Sequence, residues 1–244
     1  TLDRSRSLDL LTALYASEAS AVLERLEAVL EKHRRRLADR PSPSPWTQAD
    51  VFLITYPDQL RSPGRPPLQA LAEFCRSHLK PTIGGLHLLP FFPSSSDDGF
   101  AVTDYLRVDP ALGDWDDIHR LGRDFRLMVD LVLNHASSQG AWFDAFRRGT
   151  PPHAAYFLVP EPAGDWSRVV RPRTSPLFTD FETDAGPRSV WTTFGPDQVD
   201  LDYRQPAVLL EMVDILLETI GHGAQVIRLD AVAYLWKQPG TACI

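Results

Sequence analysis

Arg228 and Asp230 stand inside the apolar run QVIRLDAVAYLW, residues 225–236. Val226, Ile227, Leu229, Ala231 and Val232 around them read as a buried strand. Two charges in such a strand are costly unless they are paired or used. Residues two apart on a strand point to the same face. Arg228 and Asp230 therefore share one face, and Ile227 and Leu229 pack on the other. A carboxylate beside a guanidinium is held ionised with a lowered pKa, and an ionised carboxylate can act as a nucleophile. The plain alternative is a structural ion pair within the core.

Two further sets have the residue types for sugar chemistry. Asp130, Asn134 and His135 come from MVDLVLNHAS, with Asp130 inside an apolar strand and the other two at its end. Asp97, Asp98 and Phe100 come from SSSDDGFAVTDY. Sugar hydroxyls favour a charged acceptor, and the C–H face of a pyranose favours an aromatic ring. Each set also has an ordinary reading: a polar strand end with a surface histidine, and an Asp-Gly turn. Together, the three sets fall at the C-terminal ends of three different strands, which matches the layout of a retaining sugar-transfer site.

The elements that must position these residues alternate in type. Residues 51–57 (VFLITYP), 85–92 (GLHLLPFF), 126–134 (RLMVDLVLN) and the run from 224 read as strands. Residues 66–79, 114–125 and 206–221 read as helices, the first and last opening on proline and the middle one on carboxylates. Strands alternating with helices imply a parallel sheet. Near-continuous apolar strands imply burial on both faces. A small doubly wound sheet and the first half of a (β/α)8 barrel both satisfy this order. The long polar loops after strands two and three, the second about 70 residues, favour the barrel. The fold expected is therefore a partial (β/α)8 TIM barrel of four β/α units with an insertion after strand three. Residues 8–38 carry a helical period, with Ser17 or Ser20 as a cap for a second helix, and ADRPSPSPWTQ follows as a linker. The divisions expected are 1–45 for the N-terminal helical segment and linker, 46–134 with 206–244 for the barrel, and 135–205 for the insertion.

Composition removes several classes. The 244 residues are 43% apolar with a net charge of −7, and no basic run is interleaved with aromatics, so no nucleic-acid partner is expected. No window reaches the roughly 20 apolar residues of a membrane span. Two cysteines, Cys75 and Cys243, make no disulfide framework. A reduced, cytoplasmic setting is expected. The N-terminus lacks a signal-peptide pattern, and an initial Thr in place of Met implies a trimmed start.

MVDLVLNH resembles the first conserved region of the α-amylase superfamily, glycoside hydrolase family thirteen, and VIRLDAVAY resembles the second. HLLPFFPSSSDDGFAVTDYLRVDPALGDWDDI, VVRPRTSPL, VWTTFGPDQVDLDY and RLDAVAYLWKQPGT are similar to the sucrose phosphorylase subfamily, and within it to the members acting on glucosylglycerate. The likeness spans roughly residues 45–244. It implies a domain B-like insertion at 135–205 and a glucosyl phosphorylase that takes inorganic phosphate as co-substrate, with no cofactor. It implies that Asp230 is the nucleophile and that Arg228 holds it ionised and oriented. His135 and Asp97 would bind glucosyl hydroxyls, and Phe100 would form an apolar wall. Phe194 and Gln198 would line the mouth and shield the intermediate from water. Arg173 would lie near acceptor or phosphate, with Arg171 as a second candidate, and Asp130 and Asn134 would be supporting residues. The corresponding asparagine helps hold calcium in calcium-binding amylases, but the phosphorylase group implies no metal.

The resemblance also implies a glutamic acid after strand five and an Asp after strand seven, both beyond residue 244. Glu161, Glu211 and Glu218 stand in no matching motif. Residues 1–244 alone are therefore expected to be inactive. Other readings stay open: an amylosucrase- or amylase-like enzyme of the same superfamily, or a non-catalytic carbohydrate-binding remnant. Among acceptors, glucosylglycerate, glucosylglycerol, sucrose and sucrose phosphate all remain.

Overall fold

The computed structural model describes residues 2–38, 45–80 and 82–244. Most of the expected linker, residues 39–44, lies outside the described residues. Two helices come first, α1 (Arg4–Tyr15) and α2 (Ala19–Ala38). Asp3 caps α1, its carboxylate accepting from the Arg6 N–H at 3.0 Å. Neither serine expected to cap α2 does so: Ser17 lies in a 3-10 turn, Ala16–Glu18, and Ser20 is already inside the helix. The pair buries Leu11, Tyr15, Ala19, Val22 and Leu23 in a small cluster that Leu209 joins.

Four strands then form a parallel sheet in the order β1 (Phe52–Thr55), β2 (Gly85–Leu88), β3 (Arg126–Val132) and the last strand, Val226–Asp230. Helix α3 (Pro67–Phe74) connects β1 to β2, and α4 (Trp115–Asp124) connects β2 to β3. The α4 start is a capping box. The Asp114 carboxylate accepts from the Asp117 N–H, and Asp117 returns the bond to the Asp114 N–H.

The connection after β3 carries its own structure. Strand β4 (His135–Ser137) leads to α5 (Ala141–Arg147), then to a hairpin of β5 (Phe178–Phe181) and β6 (Arg188–Trp191), then to β7 (Gln198–Asp200). Strand β7 returns antiparallel to β4. Helix α6 (Pro206–Gly221) follows and delivers the chain to β8 (Val226–Asp230). One continuous core joins the sheet and helices to this connection, with Leu86, Leu127 and Leu131 sharing it with Phe143, Phe157 and Val199.

The outer strands differ from expectation. β1 is four residues rather than seven, and Ile54 is 62% exposed. The apolar run from Val226 does not continue as a buried strand. It ends at Asp230, Ala231 turns left-handed at φ +54°, and Val232–Tyr234 form a 3-10 turn. Leu229 and Val232 are exposed. The reason is topological: β1 and β8 are the two edges of the sheet, so each has one unpaired side. The fourth unit is present as its strand and this turn.

Candidate active site

Parallel strands end on the same edge of a sheet, and the positions of six of this chain's chemical residues follow from that. Tyr56 comes directly after β1, Asp97 and Phe100 lie in the loop after β2, Asn134 and His135 follow β3, and Asp230 ends β8. An open cleft of about 240 Å³ lies there, lined by Tyr56, Asp97, Asp98, Phe100, His135, Arg173, Phe194, Gln198 and Asp230. Seven of the eight sequence-predicted residues line it. The eighth, Arg228, lies behind Asp230.

The register explains the charged face. Asp130 is opposite Arg228 and Val132 is opposite Asp230. Arg228 Nη1 bonds the buried Asp130 carboxylate and also reaches Asp230 Oδ1 at 2.9 Å. Arg228 is therefore divided between two carboxylates. Asp130, the first of the two, raises the guanidinium pKa further above its ordinary value. On its other oxygen, Asp130 contacts His87 Nε2 at 2.7 Å inside β2. The shared face is a chain, His87–Asp130–Arg228–Asp230, in which only the last member lines the cleft.

His135 is buried, and its protonation is set by neighbours. Asn134 Oδ1 accepts from Lys237 Nζ at 2.7 Å, and Asn134 Nδ2 donates to Asp200 Oδ2 at 3.0 Å. Those two bonds fix the amide orientation, so the second amide N–H meets His135 Nδ1 at 3.3 Å. On the other side of the ring, Nε2 lies 3.2 Å from the Phe100 carbonyl. Burial pushes the His135 pKa down, against the opposite pull of Asp200 and Asp230, so the ring is neutral at neutral pH.

Gln198 joins the two sides of the cleft. Its Nε2 donates to Asp97 Oδ2 at 2.8 Å and lies 3.1 Å from His135 Nε2. Phe194 packs between His135 and Tyr234, with ring centroids 5.2 and 5.3 Å away. Asp97, Asp98 and Gly99 take left-handed φ values of +54°, +50° and +100° in succession. At Gly99 a Cβ would also come 2.9 Å from Pro90 Cβ, so a side chain there is excluded twice. Arg173 reaches the cleft with no carboxylate partner among the described residues. Arg171 is instead bonded to the Ser175 carbonyl.

Sequence reasoning passed over Tyr56, Asp200 and Lys237. Tyr56 was read as part of the first strand, whose end the structure places at Thr55, so its strand-end position was not legible. Its hydroxyl pKa is raised by burial and then by Asp98 and Asp97. Lys237 is buried and ion-paired to Asp200 Oδ2 at 2.5 Å. Asp200 also accepts from the Thr193 N–H at 2.9 Å and hydroxyl at 2.6 Å. A lysine closing the apolar stretch AYLWK and an aspartate inside QVDLDY were the available signals. Among the described residues, no glutamate lines the cleft. Glu161 pairs with Arg204, Glu218 pairs with Arg36, and Glu211 lies on α6. Among the described residues, no three His, Cys, Asp or Glu side chains group to hold a metal ion, and no helix is long and apolar enough to cross a membrane.

The alpha amylase catalytic-domain family profile matches residues 80–242. This chain belongs to the alpha-amylase family. It is 51% identical over 252 residues to the glucosylglycerate phosphorylase of Spirochaeta thermophila, covering 100% of this chain and 42% of that protein. It is 37% identical to the sucrose phosphorylase of Agrobacterium vitis, covering 79% of this chain and 41% of that protein. The crystal structure of a sucrose 6F-phosphate phosphorylase from Thermoanaerobacter thermosaccharolyticum superposes with a TM-score of 0.74 at 31% identity, covering 82% of this chain and 43% of that one. The chain thus spans less than half the length of the curated relatives it matches. Within the alpha-amylase family, the four-stranded parallel sheet is a partial TIM barrel.

Proposed function

We propose that the protein to which this chain belongs is a retaining α-glucosyl phosphorylase that cleaves glucosylglycerate to α-D-glucose 1-phosphate and glycerate. The single observation that carries this is the cleft itself. It gathers one exposed-end carboxylate, a hydroxyl-binding set and an unpaired guanidinium. Asp230 is the nucleophile: its oxygen bonds to the anomeric carbon as the bond to the glycerate oxygen breaks. A glutamic acid from outside these 244 residues gives that leaving oxygen its proton. A phosphate oxygen then attacks the anomeric carbon, the bond to Asp230 breaks, and the carboxylate recovers its electron pair. Two inversions give net retention.

The remaining roles follow from chemistry. Asp97 and neutral His135 hold glucosyl hydroxyls, the aspartate as acceptor and the imidazole through its cleft-facing edge. Phe100 and Phe194 cover the apolar sugar faces. Gln198 and Phe194 keep water from the glucosyl-enzyme. Arg228 orients Asp230, with Asp130 and His87 behind it. Residues 135–205 act as a domain B-like insertion that roofs the site. The free guanidinium of Arg173 suits an anion, either phosphate or the glycerate carboxylate. Glycerate is favoured as acceptor over fructose because likeness to the glucosylglycerate phosphorylase extends over the whole chain. No cofactor is needed beyond phosphate as co-substrate. Two buried, unpaired cysteines, Cys75 and Cys243, support a reducing, cytoplasmic setting.

The test is product analysis on the full-length protein with glucosylglycerate, and separately with sucrose, each with and without phosphate. Glucose 1-phosphate formed from glucosylglycerate only with phosphate supports the reading. Free glucose formed equally without phosphate would make the enzyme a hydrolase. Glucose 1-phosphate from sucrose alone would leave the mechanism intact and overturn the acceptor.

A further inference from the structure

Asp197 precedes Gln198 and does not line the cleft, yet its carboxylate is among the most heavily bonded in the chain. Its Oδ2 accepts from the hydroxyls of Ser95 and Ser96, each at 2.5 Å. Its Oδ1 accepts from Ser138 at 2.6 Å and Ser137 at 3.2 Å. Its carbonyl also accepts the Ser138 N–H at 2.9 Å. Ser95 and Ser137 meet at 2.6 Å. No lysine, arginine or histidine forms an ion pair with Asp197 among the described residues. Burial pushes its pKa up, but the four serines outweigh this and hold it below the usual carboxylate range.

The four serines come from two separate places. Ser95 and Ser96 immediately precede Asp97 in the loop after β2. Ser137 ends β4, the strand that begins with His135, and Ser138 follows it. One carboxylate therefore ties together the Asp97 loop, the His135 strand and the turn that carries Gln198. Those three residues meet in the cleft through the 2.8 and 3.1 Å contacts of Gln198. The Asp97 loop also needs such a tie. Two consecutive non-glycine residues in the left-handed region are unfavourable, and they persist only where surroundings over-determine them.

We propose that Asp197 is a positioning residue that clamps these three segments and so sets the Asp97–Gln198–His135 arrangement on the donor side of the cleft. The proposal rests on the phosphorylase reading only for the chemical readout; the clamp itself concerns any turnover at this site. Removing it loosens the Gln198 turn, so water reaches the glucosyl-enzyme and replaces phosphate as the attacking group.

The test uses the full-length protein with Asp197→Ala, Asp197→Asn, Gln198→Ala and the double variant Asp197→Ala/Gln198→Ala. The readouts are kcat/KM, the ratio of free glucose to glucose 1-phosphate, and Tm. Misplacing a site by about 1 Å costs on the order of 10²-fold in rate, so Asp197→Ala is expected to lose about that much in kcat/KM. It is also expected to raise the glucose fraction as Gln198→Ala does. Asp197→Asn should fall between, because its amide oxygen still accepts from serine hydroxyls. The double variant should be no worse than the more impaired single one, since both changes break one unit. A Ser95→Ala/Ser138→Ala pair, which removes one donor from each carboxylate oxygen, tests the clamp if Asp197→Ala does not fold. Full additivity, or a fall in Tm and rate with the product ratio unmoved, would overturn the proposal. A wild-type protein that makes no glucose 1-phosphate would instead overturn the phosphorylase reading, and additivity of kcat/KM would still judge the clamp.

Discussion

Asp230 and Lys237 are seven residues apart and do opposite kinds of work. Asp230 keeps a side chain open to the cleft, with Arg228 at 2.9 Å behind it. Lys237 is buried and spends its ammonium on Asp200, Asn134 and the Tyr234 carbonyl. Replacing Asp230 by Asn removes the proposed nucleophile and leaves the shape, so the full-length protein should lose about 10³-fold or more in kcat at nearly wild-type Tm. Replacing Lys237 by Met does the reverse in stability. It leaves Asp200 buried without a cation, a change of about 3–5 kcal/mol, which a denaturant melt would read directly. A Lys237→Met protein as stable as wild type would mean that Asp200 finds another partner. Arg173→Ala should raise KM for phosphate or glycerate and leave thermal stability within about 0.5 kcal/mol, as expected for an exposed side chain without a partner. Unchanged KM values for both anions would remove Arg173 from the anion site.

At the scale of elements, α2, α4 and α6 meet in a charged and aromatic contact. His33 contacts Asp214 at 2.5 Å, Lys32 pairs with the same carboxylate, and Arg36 pairs with Glu218. At the end of α6, His222 stacks on Trp115 of α4 with ring centroids 3.9 Å apart, near His119. Its Nδ1 is buried without a hydrogen-bond partner among the described residues. Burial, then Arg36 and His119, push its pKa down to about 4, against the pull of Glu218. An unfolded histidine takes a proton near pH 6.5, while the folded one resists until about 4. This contact therefore loses stability as pH falls through the window from 6.5 to 4. Asp214 and Glu218, whose pKa values are lowered, add their own loss at lower pH. A His222→Gln protein should melt with a flatter pH dependence between pH 6.5 and 4. An identical slope in both proteins would refute the assignment.

Element type was legible because it depends on local pattern. Proline at the starts of α3 and α6 and the carboxylates opening α4 marked three helices closely. Strand ends were less legible where they depend on who pairs with whom. β1 and β8 read as buried runs, but as sheet edges they are shorter and half open. The cleft residues were legible from strand-end position together with motif. Asp200, Asp197 and Lys237 were not, because each is defined by partners 60 to 103 residues away, such as Asn134, Ser137, Ser95 and Lys237's own contact with Asn134.

For the whole molecule, the chain supplies the proposed nucleophile and donor subsite, and the proposed acid lies outside it. Among the described residues, no glutamate lines the cleft, and both edge strands of the sheet have one side without a strand partner. Residues 1–244 expressed alone should therefore show no turnover, and the open edges should promote association. Turnover by the isolated piece would mean that another group supplies the proton. The central claim is that Asp230 carries the glucosyl unit between donor and phosphate. The most direct measurement is mass spectrometry of the peptide bearing Asp230, after the full-length protein is quenched from glucosylglycerate without phosphate. The account predicts one glucosyl unit on Asp230, removed when phosphate is added and accompanied by glucose 1-phosphate. An unmodified Asp230 under turnover, or a glucosyl unit on another residue, would contradict it.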